Sequence, residues 1–380
     1  MKNIEKIKSI IVILCFAVTI AFPYYARFLS YDNELIGAEE KIEFSFDKID
    51  DYIMQNFPGR ALVINFKNKF LYETFGISPN ETIVNVDDNL FASETLNYYY
   101  HGLYSVTEKY VKELVLKFKK LNDFCKKNGK KVLILLTPTK PRFYGGPLPL
   151  VDNIILKYQD KSISNDIRSY DLLKNELKKT DIYCFDFIET IERDRYKYLS
   201  GDVPLFYKGA LHWSNYKGNI ASLELHDYMR SVMGIKVPHI KVEASRSEVA
   251  MMPDSDLFDT LNLGIKSKDR YYNVSNVIDE YESDELNYTI RGGSFMTGLV
   301  LIPITAGYRN NCVLMSNKIA FFDNYKKHIT FDSYDELDEK IGLVDHIKNT
   351  DVFIFEIHEV KVYNATFGFI DYVLDHLEGV

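Results

Sequence analysis

The strongest constraint on the fold is the apolar run "KVLILLT", residues 131–137, which follows directly on a helical pattern. A strand that is apolar on both sides has to be covered on both faces. Residues 105–128 repeat apolar side chains at a helical period, among them Leu114, Phe118 and Leu121, and Gly129 is suited to end that helix. A helix that leads into such a strand is typical of a parallel sheet flanked by helices, so the sequence predicts an α/β fold.

The same alternation continues along the chain. Further helices are predicted over residues 169–179, 215–233 and 295–306, and Ser214 or Asn215 can cap the second of them. Further strands are predicted over residues 181–187, 286–292, 312–316 and 351–357. Residues 236–278 are less regular, and we interpret them as an insertion or rim before the last strands of the sheet.

The N-terminus carries an uncharged apolar segment over residues 9–26, preceded by Lys2, Lys6 and Lys8 and followed by Arg27. At about 1.5 Å per residue such a helix reaches nearly 30 Å, the thickness of the bilayer core. The lysines predict that the N-terminus stays in the cytoplasm. We therefore expect a cytoplasmic tip and transmembrane signal-anchor at 1–29, a stalk at 30–45 and an extracytoplasmic domain at 46–380. A cleaved signal peptide is the alternative.

Charge, cysteine spacing and motif content argue against several classes of function. The formal net charge of −8, without a dense Lys/Arg run, argues against a nucleic-acid partner. The four cysteines show no C-x-x-C spacing, and only a Cys125–Cys184 bridge is left open. Neither a metal-ligand motif nor a Gly-rich phosphate loop is present, so no metal and no cofactor is predicted.

Two residues could carry chemistry. Ser294 follows two glycines at the end of a predicted strand, a strand-to-helix turn that can expose a serine hydroxyl above the sheet. A serine nucleophile needs a base, and among eight histidines His212 is the best placed, on a loop just before a capped helix. Taken singly, the serine could belong to an ordinary turn, and His212 could simply pack beside Trp213, the only tryptophan of the chain.

An aromatic stretch, "NYYYHG" at residues 97–102, also has two interpretations. It could be a platform on which sugar rings stack, or it could supply packing residues. Because the chain has 28 Tyr and 25 Phe, aromatic clusters arise easily by chance, which favours packing.

Five stretches, in order, resemble the AlgJ/AlgX group of SGNH-type enzymes, which O-acetylate exopolysaccharides such as alginate and, in related systems, cellulose. They are "FPGRALVINFKNKFLYETFGISPN" at 57–80, "VNVDDNLFAS" at 84–93, "TPTKPRFYGGPLP" at 137–149, "YKGALHWSNYKG" at 207–218 and "GGSF" at 292–295. The second resembles a short hairpin of the family. The last two resemble its Y-x-T-D-T-H-W-N-x-x-G and G-D-S-F motifs.

The resemblance implies an SGNH-like domain with a topologically permuted parallel sheet. It implies that Ser294 is a nucleophile that takes the acetyl group and that His212 is its base. Lys140 and Tyr144 match the family motif near the site, and Gly293 directly precedes the serine. All three are expected to support the site or its oxyanion, and the Ser294 N–H would help to hold that oxyanion. The implied partners are a polysaccharide acceptor and a membrane-bound O-acyltransferase that supplies acetyl. Because no carbohydrate-binding module follows residue 359, the chain resembles the shorter AlgJ type.

Three acidic positions of the family are changed here, to Ala210, Gly293 and Gly146. Ala210 stands where the family has the acid that orients the histidine. A Ser/His dyad, or an acid from another segment, would compensate; Asp202 and Glu356 are the candidates for that acid. The alternatives to an acetyltransferase are an acetyl-sugar esterase with the same residues and an inactive scaffold of a polysaccharide acetylation and export complex.

Overall fold

A seven-stranded sheet forms the centre of the computed structural model, which describes residues 60–145, 168–280, 284, 286–296, 311–315, 319–323 and 327–377. Residues 61–380 belong to one compact unit. The strands are β1 (Ile83–Val86), β2 (Asn89–Ala92), β3 (Lys131–Thr137), β4 (Tyr183–Asp186), β5 (His239–Ser247), β6 (Tyr271–Glu280), β7 (Tyr288–Gly292), β8 (Asn311–Met315), β9 (Ile319–Asp323), β10 (Lys327–Phe331) and β11 (Val352–His358).

The main sheet has the order β10-β9-β8-β7-β11-β3-β4. Strands β8, β7, β11, β3 and β4 are parallel, whereas β9 and β10 are antiparallel at one edge. Strands β3 and β11 pair in the middle, with Ile134 opposite Phe355, and both are buried almost throughout. The predicted α/β fold with a helix-flanked parallel sheet is confirmed. The antiparallel edge was not predicted.

Helices cover both faces of this sheet. The helices in the described part of the chain are α1 (Arg60–Phe75), α2 (Ser93–His101), α3 (Glu108–Lys127), α4 (Lys140–Tyr144), α5 (Ser169–Leu177), α6 (Phe187–Arg193), α7 (Arg195–Leu199), α8 (Asn215–Ser231), α9 (Asp256–Thr260), α10 (Tyr334–Ile341), α11 (Leu343–Asn349) and α12 (Phe369–His376). Two 3-10 segments, Ser294–Met296 and Glu359–Asn364, follow directly on β7 and β11. The sheet alternates its side chains between the two faces: Ile134 packs with α3 and α12 on one face, and Leu135 with α6 and α8 on the other.

Local sequence signals account for several element boundaries. Helix α3 begins where the Thr107 side chain accepts a hydrogen bond from the Tyr110 N–H, and α8 begins where Ser214 accepts from Lys217. Strand β3 has its predicted bounds, and the predicted hairpin is formed by β1 and β2. Helix α12 was not predicted. Of the helix predicted over residues 295–306, the structure describes only the 3-10 segment, and residues 297–310 lie outside its described part.

The irregular region at 236–278 contains a two-stranded antiparallel ribbon, β5 with β6, and the short helix α9 between the two strands. The predicted anchor and stalk, residues 1–45, lie outside the described residues. Within the part of the chain that is described, no helix is both long enough and apolar enough to cross a bilayer. Cys125 and Cys184 are free thiols, so the bridge considered between them is not formed.

Candidate active site

Ser294 and His212 meet at the carboxyl end of the sheet. Ser294 begins the 3-10 segment after β7, and its side chain is exposed. His212 lies in the loop over residues 205–214, which we call the histidine loop, just before α8. The His212 Nε2 atom lies 2.6 Å from the Ser294 Oγ atom. This distance is within the range in which an imidazole can take a hydroxyl proton.

The other ring nitrogen of His212 contacts a carboxylate. The Nδ1 atom of His212 lies 2.5 Å from Oδ2 of Asp256, the first residue of α9. The Asp256 Oδ1 atom accepts from the backbone N–H groups of Leu211, at 2.8 Å, and Leu257, at 2.9 Å. Because an ionised carboxylate only accepts, the proton is assigned to Nδ1, and Nε2 faces the serine as an acceptor. Ser294, His212 and Asp256 therefore have the geometry of a Ser-His-Asp triad.

The acid on His212 is neither of the two predicted. Asp202 is exposed in a bend before the histidine loop. Glu356, on β11, is fully buried and accepts from the Gly293 N–H at 2.6 Å and from the Thr137 hydroxyl. An acid from another segment does reach the ring, but it is Asp256, from the irregular region at 236–278.

Sequence reasoning missed Asp256 because its segment has no helical or strand period. Asp256 lies 44 residues beyond His212 along the chain. The one available signal is the density of carboxylates in "PDSDLFD", residues 253–259, within an otherwise irregular region.

Gly293 supports the serine, but its N–H does not point to an oxyanion, because that N–H donates to Glu356. Its neighbour Gly292 is confined: a Cβ atom there would lie 2.6 Å from the Glu356 Cβ and 2.6 Å from the Met296 Sδ. Burial raises the pKa of Glu356, whereas the hydrogen bonds from Thr137 and Gly293 lower it. Through these contacts with Gly292 and Gly293, Glu356 holds the turn that carries Ser294.

Lys140 is a buried support of the histidine loop. Its Nζ donates to the carbonyl oxygens of Leu90, Tyr207 and Lys208, each at 2.8 Å, and of Ala210 at 3.0 Å. Burial lowers the pKa of Lys140 to about 7. The side chain matches the family motif, but it holds main-chain oxygens in place and is not an oxyanion donor.

Tyr144 packs against the same loop. Its ring meets that of Phe206 edge to face, with centroids 6.0 Å apart. Burial raises the pKa of Tyr144. These contacts give Tyr144 a supporting position behind the histidine loop.

Aromatic rings form the floor of the site. Phe295 lies between His212, at 4.8 Å between centroids, and His358, at 4.1 Å. Burial lowers the pKa of His358 to about 3, and its Nε2 lies 3.1 Å from the Pro138 carbonyl oxygen. Trp213 is buried edge to face against Phe187. His358 and Trp213 thus pack within the fold.

The described residues contain no cluster of His, Cys, Asp and Glu side chains that could hold a metal ion. The groups that the geometry brings together at this site are a hydroxyl, an imidazole and a carboxylate. This set of groups serves serine-dependent hydrolysis and transfer of acyl groups.

The solved structures that are similar to this fold include the following three. The O-acetyltransferase domain of Pseudomonas putida AlgJ matches at 13% identity and a TM-score of 0.47, over 78% of this chain and 99% of that one. Pseudomonas aeruginosa AlgX matches at 12% and 0.43, over 77% and 68% of the two chains. Bacillus cereus PatB1, solved with a sulfonyl adduct, matches at 10% and 0.43, over 75% and 96%.

The group that the sequence motifs resemble is named after AlgJ and AlgX. Structures of both proteins are among the solved structures that are similar to this fold. No family model and no curated protein sequence matches the chain. Its function is therefore inferred from its own side chains.

Proposed function

We propose that this protein is an O-acetyltransferase that moves acetyl groups onto hydroxyls of a secreted, alginate- or cellulose-like polysaccharide through an acetyl-Ser294 intermediate. The observation that carries the proposal is the continuous hydrogen-bonded chain from Ser294 through His212 to Asp256. A buried or misdirected serine would not support acyl transfer, whereas this one is exposed and paired with an oriented base.

In the first half-reaction the Ser294 Oγ attacks the acetyl carbonyl carbon of the donor, and His212 Nε2 takes the hydroxyl proton. Asp256 stabilises the imidazolium that forms. The Ser294 N–H is the expected donor to the tetrahedral oxyanion. When the intermediate collapses, the bond to the donor breaks, and the leaving group takes the proton from His212.

In the second half-reaction His212 removes the proton from a sugar hydroxyl, whose oxygen attacks the acetyl-Ser294 carbonyl. The bond between Ser294 and the acetyl group breaks, and His212 returns its proton to Oγ. The acetylated sugar leaves, and the site is restored. No reactant other than an acetyl donor and a hydroxyl acceptor is consumed.

The exposure of Ser294 suits a hydroxyl on a long polymer, which has to reach the serine without threading into a deep pocket. The same exposure admits water, so an acetyl-sugar esterase is the second candidate function. An inactive scaffold is disfavoured, because a non-catalytic chain would have no need of the 2.6 Å and 2.5 Å contacts on the two nitrogens of one imidazole.

The location of the domain in the cell and the source of its acetyl groups are part of the same proposal. An anchor at residues 1–29 would hold the domain outside the cytoplasm, where a secreted polymer passes. Acetyl would come from a membrane-bound O-acyltransferase. The location rests on the N-terminal pattern, and the source of acetyl rests on the motif resemblance.

The test is acetyl-ester hydrolysis and acetyl transfer by the full-length chain. The proposal expects release of nitrophenol from 4-nitrophenyl acetate, with a loss of about a thousandfold or more in Ser294→Ala and in His212→Ala. With an oligosaccharide present, mass spectrometry should show acetylated sugar, whereas an esterase would give acetate alone. Equal rates in the wild type and both variants would rule out the proposal.

A further inference from the structure

Two tyrosines and an ion pair form a small surface, which we call the tyrosine surface: Glu94, Tyr104, Lys361 and Tyr363. The rings of Tyr104 and Tyr363 stack with centroids 4.4 Å apart and an angle of 26° between their planes. The Lys361 Nζ lies 5.8 Å and 5.5 Å from these centroids and forms an ion pair with Glu94. Tyr104 is 39% exposed.

The tyrosine surface lies at the same edge of the sheet as the candidate active site. Strand β11 neighbours β7, and its last residue, His358, stacks on Phe295, the residue after Ser294. The 3-10 segment that carries Lys361 and Tyr363 starts immediately after His358. The segment is kinked at Lys361, and because Tyr363 follows His358 by only five residues, the reach of the chain keeps the two within about 17 Å of each other.

The backbone holds both tyrosines in place. The Tyr363 carbonyl oxygen accepts from the Tyr110 hydroxyl at 2.7 Å. Tyr104 has a φ of 62°, in the left-handed region that bulky residues seldom occupy. The stack on Tyr363 therefore holds the Tyr104 ring in a fixed position while the side chain stays exposed.

The chemistry of the surface suits a sugar chain. A pyranose ring has apolar C–H faces, which pack on aromatic rings, and hydroxyls, which need donors and acceptors at the rim. Here the ring of Tyr104 offers the apolar face, while Lys361 and Glu94 offer a donor and an acceptor. Because the charges of Lys361 and Glu94 balance each other, the charge of the patch does not favour an anionic sugar chain over a neutral one, and both kinds of chain are suitable probes.

We propose that the tyrosine surface is a binding subsite for the pyranose chain of the polysaccharide acceptor, beyond the sugar unit that is acetylated. This proposal rests on the proposed function for the identity of its ligand. The tyrosine surface lies next to the aromatic stretch "NYYYHG", because Glu94 belongs to α2, the helix that carries most of that stretch.

Binding and chemistry can be separated by experiment. Full-length Ser294→Ala protein is titrated with two probes, cellohexaose and an oligomannuronate hexamer, by isothermal calorimetry. In that background Tyr104→Asn removes the ring and keeps a residue that tolerates a positive φ. Tyr363→Ala is the second variant, and Tyr196→Asn is the matched control, because Tyr196 is 85% exposed on α7.

The proposal expects that at least one probe binds and that Tyr104→Asn and Tyr363→Ala each weaken its affinity about fivefold to tenfold. Tyr196→Asn should leave the affinity unchanged. With Ser294 intact, the tyrosine variants should hydrolyse 4-nitrophenyl acetate at the wild-type rate, which shows that the fold and the triad are preserved.

Two results would overturn the subsite: no binding of either probe, or equal affinity in the parent and both tyrosine variants. Capture of a protein or lipid by this surface, with no sugar binding, would do the same. Failure of the proposed function has a different signature, which is a wild type that does not hydrolyse the ester while sugar binding and its loss in Tyr104→Asn persist.

Discussion

Ser294 and the two residues hydrogen-bonded in line with it are positioned in different ways. Ser294 follows a central strand of the sheet, and buried Glu356 on the neighbouring strand β11 holds its turn through the Gly293 N–H. His212 and Asp256 lie on segments outside the sheet, and polar contacts between loops position them. One half of the site is built into the sheet, whereas the other half is assembled by hydrogen bonds across long sequence separations.

Two sets of hydrogen bonds hold the segments that carry His212 and Asp256. Lys140 binds four carbonyl oxygens of β2 and the histidine loop. Asp254 Oδ1 accepts from the Asn215 N–H at 2.9 Å and from its side-chain amide at 3.2 Å. Since Asn215 begins α8 and Asp254 lies two residues before Asp256, this second set fixes the acid segment against the helix that follows His212.

The largest expected effect comes from the acid. Asp256→Asn should lower turnover of 4-nitrophenyl acetate by about a thousandfold to ten-thousandfold, because the amide favours the wrong tautomer of His212. The matched control is Asp202→Asn, at the exposed carboxylate considered from sequence, which should leave the rate unchanged. If both variants kept the wild-type rate, Asp256 would have no part in catalysis.

A second variant restores the acid of the family motif and also tests whether Asp256 orients His212. Ala210→Asp should not raise the rate, because Asp256 already occupies the Nδ1 side of His212 and Ala210 is fully buried. The variant should instead be less stable, by roughly 2–4 kcal/mol, since it buries a carboxylate. A clear gain in rate would mean that Asp256 does not orient the ring.

Removing the cation tests whether the loops depend on polar links. Lys140→Met fills similar space but removes a buried donor that four carbonyl oxygens share, which should cost roughly 2–4 kcal/mol of unfolding free energy in urea. The rate should fall as well, since Ala210 lies two residues before His212. Lys130→Met is the comparison, because Lys130 also donates to carbonyl oxygens but near the amino end of the sheet, away from the site. Equal activity in the two variants would contradict the role given to Lys140.

Substitutions of Glu356, which supports Ser294 from the sheet, should change the rate less. Glu356→Gln keeps an acceptor for the Gly293 N–H, so the rate should fall by about tenfold or less, whereas Glu356→Ala should lower it by about a hundredfold through misplacement of Ser294. Steady-state kinetics of both variants measure the difference. Equal losses would show that the carboxylate charge, and not the position of the turn, is what matters.

The smallest effect concerns Asp254. Burial raises its pKa from 3.8 to about 7, so the folded state keeps a proton that the unfolded chain releases. Its contribution to stability therefore decreases as pH rises from about 4 to about 7, and levels off above that. Asp254→Asn cannot titrate, and relative to it the wild type should lose roughly 1.4 kcal/mol between pH 6 and pH 8. A difference that stays constant in urea midpoints across this range would contradict the assignment.

The same contrast explains what the sequence could predict. Strand β3, helix α3 and the strand before Ser294 follow from local patterns, and that strand places Ser294 at the edge of the sheet. His212 could be proposed from the turn before α8 and from its motif. Asp256 could not, because its contact with His212 depends on how residues 236–278 fold back, and that segment has no period. The role of Lys140 depends on loops that meet only in the folded chain.

The most direct measurement is the acylation state of Ser294. After brief incubation with 4-nitrophenyl acetate and acid quenching, peptide mass spectrometry should find acetyl on Ser294 in the wild type, and little or none in His212→Ala or Asp256→Asn. The label should disappear when an acceptor oligosaccharide is added before the quench. Absence of acetyl from Ser294, or equal labelling in all three proteins, would contradict the Ser294–His212–Asp256 mechanism.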